Sequence, residues 1–199
     1  NGEPVLVIPG FLADDHSTKS LRNYLTSIGY NVHGWSLGTN KGARDELFEQ
    51  CLIRIGELHE QYGQKISIIG QSLGGIFARE LAKLSPHIGK VICLGTPADR
   101  RHGNPSRISA LYDLMNPETE ENSTKELVQQ VSEAPKVPCT MVFSKEDGIV
   151  SWQACTQKNP QDDTSENIRV YGSHGGMGFN ASIYYLVADR LAQNNEKWQ

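Results

Sequence analysis

Apolar runs long enough to cross a bilayer are missing from this chain; its longest are strand-sized, which excludes an integral helical membrane segment. A surplus of positive charge is missing as well. Nineteen Lys and Arg against 23 Asp and Glu leave a net charge of −4, with no basic run, so neither nucleic acid nor an anionic membrane surface is an expected partner. Cysteine is scarce: Cys51, Cys93, Cys139 and Cys155 show no C-x-x-C spacing, and no His/Cys/carboxylate cluster has the spacing of a metal site. No metal and no cofactor is therefore expected. The first three cysteines fall inside apolar helix or strand patterns, so buried free thiols are the expected state. This fits a cytoplasmic chain; a secreted or periplasmic one, with a Cys139–Cys155 disulfide, stays open. There is no G-x-G-x-x-G and no P-loop ending in Lys-Ser/Thr, which argues against a nucleotide site. Repeats and linkers are absent too, and 199 residues with 38% hydrophobic content are enough for a single domain, 1–199, around one core. The opening Asn1-Gly2-Glu3, without methionine, reads as a trimmed or mature form. Oligomeric state is not encoded in any of these patterns.

What is present is an alternation of strand and helix signals, which predicts a mostly parallel sheet flanked by helices, an α/β fold. Val5-Leu6-Val7-Ile8 reads as a strand stopped by Pro9-Gly10, and Leu21, Tyr24, Leu25 and Ile28 recur at helical spacing up to Gly29. Asn31 to Trp35 is a second strand. Leu47 to Tyr62 carries the stripe of a long amphipathic helix ending at Gly63, and Lys65 to Ile69 is strand-like again. A helix bearing Ile76, Phe77, Leu81 and Leu84 stops before Pro86. Val91 to Leu94, Val137 to Ser144 and Asn167 to Val170 are further strands, and a helix from about Asn180 to Ala192 closes the pattern. Between two of these strands, residues 99–135 form an insertion too long for a plain connection and expected to hold short helices. Leaving from the carboxyl edge of the sheet, it would either cap a site there or pack on the body.

The motif that carries chemistry is Gly70-Gln71-Ser72-Leu73-Gly74, set between a strand and a helix. With 19 glycines in the chain the pentapeptide alone can arise by chance, but its context is that of a nucleophile elbow. Such a turn holds its serine in a strained conformation, and the flanking glycines supply space. The following helix then presents unpaired N–H groups and its positive dipole end beside the hydroxyl.

Together with Pro9-Gly10-Phe11 after the first strand, Asp147 after a late strand, and His174 in Ser173-His174-Gly175-Gly176 before the last helix, the elbow resembles the α/β-hydrolase superfamily, in particular its small bacterial esterases and lipases. The likeness spans nearly the whole chain and matches the order serine, acid, histidine. It implies the α/β-hydrolase fold, in which 99–135 is a candidate cap or lid.

Each role has a physical reason. Ser72 as nucleophile needs a base to take its proton. Of the histidines after it, His87, His102 and His174, only His174 sits on a glycine-bracketed loop ahead of the terminal helix. His59, on the apolar side of a helix, reads as a packing residue, and His16 as a surface or capping group. Asp147 would orient the imidazole, with Glu146 and Asp99 as rivals; Asp162 and Asp163 read as solvated. The oxyanion donors implied by the resemblance are the backbone N–H groups of Leu73 and Phe11, although proline stands at position 9 where the family commonly has histidine. Leu12, Ile149, Trp152 and Met177 are candidates to line an acyl pocket or to be ordinary core. The expected activity is hydrolysis of small-molecule carboxylic esters through an acyl-enzyme, without metal or cofactor. Thioester hydrolysis or acyl transfer by the same triad, and a non-catalytic anion-binding homologue, are the alternatives.

Overall fold

Short, unbroken apolar runs can be satisfied only when both faces of a sheet are covered, and that is the state of the central strands here. The computed structural model describes residues 2–42, 45–98, 133–157 and 165–193. Most of the 99–135 insertion, together with Asp99, His102, Asp162 and Asp163, lies outside the described residues. In chain order the elements are β1 (Pro4–Ile8), α1 (Lys19–Ser27), β2 (Asn31–Gly34), α2 (Asp45–Tyr62), β3 (Ile66–Gln71), α3 (Leu73–Leu84), β4 (Ile88–Leu94), β5 (Cys139–Ser144), β6 (Ser165–Val170), a 3₁₀ helix (Gly175–Phe179) and α4 (Ala181–Ala192). The six strands form one sheet in the order β2-β1-β3-β4-β5-β6, every neighbouring pair parallel.

Side chains alternate across this sheet with period two, and the alternation splits the core. Leu6, Ile8, Ile66 and Ile68 join Cys51, Ile55 and Leu58 of α2 and Ile76, Phe77 and Leu81 of α3 on one face. Phe77 stacks on Phe48 with ring centroids 4.4 Å apart and meets Trp35 edge-on, so aromatic packing ties α3 to α2. Val5, Val7, Ile69 and Ile92 instead join Leu21 and Leu25 of α1 and Ile183, Val187 and Leu191 of α4 on the other face.

Element types agree with the sequence reading, and the differences have local causes. Strand β4 begins at Ile88 rather than Val91 because Lys90, which interrupts the apolar run, is itself buried. Its ammonium donates to the carbonyls of Leu191 at 2.7 Å and Gln193 at 2.9 Å, capping the end of α4. Strand β5 starts at Cys139, after Pro138, rather than at Val137. The 3₁₀ turn after His174 carries glycine at three of five positions and gave no periodic signal. Ser85 is extended ahead of Pro86, which ends α3. Asn180 caps α4 by accepting from the Ser182 N–H at 2.9 Å.

All four cysteines are free and buried, so Cys139 and Cys155 form no disulfide. Burial pushes the Cys51 thiol up to about 12 against a smaller opposing effect of Arg54, and raises Cys155 as well. These two thiols are packing groups. His59 is one too: its Nδ1 meets the Gln64 carbonyl at 2.8 Å, and its ring stacks on His87 with centroids 4.1 Å apart. No described helix is long and apolar enough to cross a membrane.

Strand order reverses around β1: the chain places β2 on one side of it and β3 on the other. In open α/β sheets such a reversal leaves a crevice beyond the carboxyl ends of the two strands, and the loops there are those after β1 and β3. These loops carry Pro9-Gly10-Phe11 and Ser72.

Candidate active site

The turn from β3 into α3 is built by close backbone approach. A Cβ on Gly70 would overlap the carbonyl of Gly74 and the Cα of Gly75. One on Gly74 would overlap the Ile8 carbonyl and lie 2.7 Å from that of Pro9. Only glycine lets strand, helix and the β1 loop meet so tightly. Between them Ser72 has φ 51° and ψ −117°, a conformation a side chain adopts only when its surroundings impose it. Those surroundings are the end of β4: the Ser72 N–H donates to the Leu94 carbonyl at 2.8 Å, and the buried Thr96 hydroxyl donates to the Ser72 carbonyl at 3.0 Å.

The acid and histidine are joined by side-chain bonds. Asp147 Oδ1 accepts from the N–H groups of Ile149 at 2.9 Å and Val150 at 2.8 Å, while Oδ2 lies 2.6 Å from His174 Nδ1. The Asp147 side chain is 1% exposed and that of His174 11%. Burial pushes the Asp147 carboxyl up, but the bond from His174, the two backbone N–H groups and the imidazole charge outweigh it and hold the group below the usual carboxylate range. An ionised Asp147 makes Nδ1 the donor and leaves Nε2 as the basic nitrogen. Its rival Glu146 turns away, with Oε2 accepting from the Ser144 hydroxyl at 2.8 Å and Oε1 3.3 Å from Arg169 in an exposed pair. Asp99, the other rival, lies outside the described residues.

The two halves share one strand end. Gly95, with φ 59°, lies between the Leu94 and Thr96 contacts to Ser72, and a Cβ there would sit 3.3 Å from both Asp147 Oδ2 and His174 Nδ1. Gln71, just before the serine, places its Nε2 3.5 Å from the His174 carbonyl. A Cβ on Gly10 would be 3.5 Å from that of Ser72, so the β1 loop abuts the serine. Leu73 is the first residue of α3, where the helix dipole is positive. Among the described residues, the N–H groups of Phe11 and Leu73 donate to no protein acceptor.

Of the four side chains suggested for an acyl pocket, Leu12 and Ile149 are exposed on loops beside the site, at 62% and 48%. Trp152 is half-buried, stacked on Phe143 with centroids 5.9 Å apart and with Lys145 Nζ over its ring. Met177, on the 3₁₀ turn after His174, is fully buried with Ile69, Leu94 and Val142, and its sulfur lies 3.1 Å from a Cβ built on Gly95. Gln71, Gly95 and Thr96 were missed, as was Asn40. The run Leu94-Gly95-Thr96-Pro97 at a strand end was the available signal for two of them. Among the described residues, no three His, Cys, Asp or Glu side chains are grouped so as to hold a metal ion.

No family model and no curated protein matches the sequence. Solved structures do match. A monoacylglycerol lipase of Paleococcus ferrophilus superposes with a TM-score of 0.69 at 17% identity, over 96% of this chain and 95% of that one. An esterase of Pyrococcus furiosus gives 0.72 at 15% identity, over 96% and 83%. A thioesterase domain from the curacin biosynthetic pathway gives 0.66 at 12% identity, over 96% and 90%. At these identities the likeness is one of fold, and the chain has the α/β-hydrolase fold.

Proposed function

We propose that this α/β-hydrolase-fold chain is a serine hydrolase that cleaves carboxylic esters through an acyl-enzyme on Ser72. The observation carrying the reading is the buried 2.6 Å contact between His174 Nδ1 and Asp147 Oδ2, set against the same Gly95 that separates the two anchors of Ser72. In the first step a bond forms from Ser72 Oγ to the ester carbonyl carbon as the hydroxyl proton passes to His174 Nε2. The carbonyl electron pair moves onto its oxygen, facing the N–H groups of Leu73 and Phe11. When this pair returns, the bond to the alcohol oxygen breaks and that oxygen takes the proton from His174. Water, deprotonated by His174, then repeats the addition, releasing the acid and restoring Ser72. Asp147 stays ionised and stabilises the imidazolium formed in each half.

The likeness to a thioesterase domain favours one second reading, in which the leaving group is a thiol. The residues and their roles are unchanged. Hydrolysis of p-nitrophenyl esters from acetate to palmitate, beside matched thioesters and with Ser72→Ala prepared identically, tests both. Ester turnover that vanishes in the variant supports the reading, a strong thioester preference replaces it with the second, and a folded wild type that turns over neither sinks both.

A further inference from the structure

Asn40 lies fully buried on the loop after β2, far in sequence from every residue of the site. Each of its four polar atoms has a partner. Side-chain Nδ2 donates to the Pro9 carbonyl at 2.9 Å, and Oδ1 accepts from the Gly42 N–H at 3.3 Å. Its backbone N–H donates to the Ala13 carbonyl at 2.8 Å, and its carbonyl accepts from the Leu12 N–H at 2.7 Å. Three of the four contacts thus fall on the β1 loop, one before the Gly10–Phe11 peptide and two after it.

That peptide is the one that matters chemically. Its Gly10 carbonyl accepts from the Ala13 N–H at 3.1 Å, and in a trans peptide the N–H points opposite to the carbonyl, so this bond also sets the direction of the Phe11 N–H. Leu12, next along, has φ 57° and is 62% exposed, so its own side-chain packing does little to maintain the strained turn. The restraint comes from Asn40. A donor aimed in advance at a developing negative charge stabilises it without reorganising, and one such donor is worth about 10²–10³-fold in kcat.

We propose that Asn40 is a positioning residue whose side-chain bond to the Pro9 carbonyl aims the Phe11 N–H at the oxyanion formed on the substrate, an inference that rests on the acyl-transfer reading of Ser72. Asn40→Asp removes the proton given to Pro9 and leaves both backbone bonds in place. Its kcat on a p-nitrophenyl ester is expected to fall about 10–100-fold, part of one oxyanion donor's effect, with KM within about twofold. Affinity for a trifluoromethyl ketone, whose carbonyl carbon bonds to Ser72 Oγ and becomes an oxyanion, is expected to fall by a similar factor. A residue important only for folding would lower the melting temperature and leave both quantities unchanged per folded molecule. Asn40→Ser, neutral and too short to span to Pro9, provides the same readings if the aspartate variant does not fold. Folded variants of either kind with wild-type kcat and ketone affinity overturn the inference while Ser72-dependent turnover by the wild type keeps the acyl-transfer reading. A wild type with no Ser72-dependent acyl chemistry overturns both.

Discussion

The two halves of the candidate site, Ser72 on one side and Asp147 with His174 on the other, are held by different physics. Around Ser72 the tightest constraints are steric: Gly70 and Gly74 have no room for a Cβ, and both backbone groups of the serine are hydrogen-bonded to Leu94 and Thr96 at the end of β4. Around Asp147 and His174 they are polar, a carboxylate accepting three hydrogen bonds, two from N–H groups two and three residues on and one from a residue 27 positions away. Gly148, next to the acid, has nothing within 4 Å of a built Cβ and no positive φ, so glycine is not required there. A backbone held by excluded volume tolerates no added atom, whereas a carboxylate held by hydrogen bonds tolerates changes in its neighbours but no loss of its own charge.

The sharpest break is chemical. Ser72→Ala is expected to remove about 10⁶-fold in kcat on an activated ester, leaving only what the remaining groups provide, and retention of more than about a thousandth of the activity would rule out the nucleophile. Asp147→Asn comes next, with an expected loss of about 10³–10⁴-fold in kcat, since the amide can neither balance an imidazolium nor enforce the tautomer.

The same substitution sharpens the electrostatic side of the comparison. The folded carboxyl of Asp147 lies below its unfolded value, so its contribution to stability is present at neutral pH and is lost as pH falls through the carboxylate range. Urea unfolding near pH 7 and pH 3 is expected to show a larger acid-induced drop for the wild type than for Asp147→Asn. Equal drops would mean that the hydrogen bonds around Asp147 do not favour its charged form.

Steric restraint is tested by a pair of glycines. Gly74→Ala is expected to lower stability by about 2–3 kcal/mol by overpacking against the Ile8 and Pro9 carbonyls, while Gly148→Ala stays within about 0.5 kcal/mol. A neutral Gly74→Ala would show that the elbow has slack. The smallest effect is reserved for Glu146→Gln, expected to keep activity within about twofold because its partner Arg169 is exposed and such pairs contribute little. A loss as large as that of Asp147→Asn would make Glu146 the acid instead.

This division explains what could be read in advance. The tight turn at Ser72 was legible because its glycines lie within five residues and between two strongly patterned elements, while the Ile8 and Pro9 carbonyls that Gly74 avoids and the groups that anchor the serine are distant in sequence. Leu73 and Phe11, the donors proposed for an oxyanion, were named from where a helix starts after Ser72 and where the first strand stops. Asp147 was separable from Glu146 only by side-chain direction: two adjacent carboxylates on one turn face opposite ways, and no pattern encodes which faces the histidine. For Met177 the sequence left pocket and core open, because a glycine-rich 3₁₀ turn has no apolar periodicity from which to read its inward face.

By itself the sequence determined the alternation of strands and helices, the tight turn at Ser72 and the set of groups that could serve it, because propensity, periodicity and glycine requirements act over a few residues. Only the tertiary structure decided that Gly95 and Thr96 join the two halves, that Asn40 braces the loop after β1, and that Lys90 is a buried cap rather than a strand breaker. Each of these depends on hydrogen bonds or contacts between segments tens of residues apart, whose geometry exists only once the parallel sheet has brought the strand ends together.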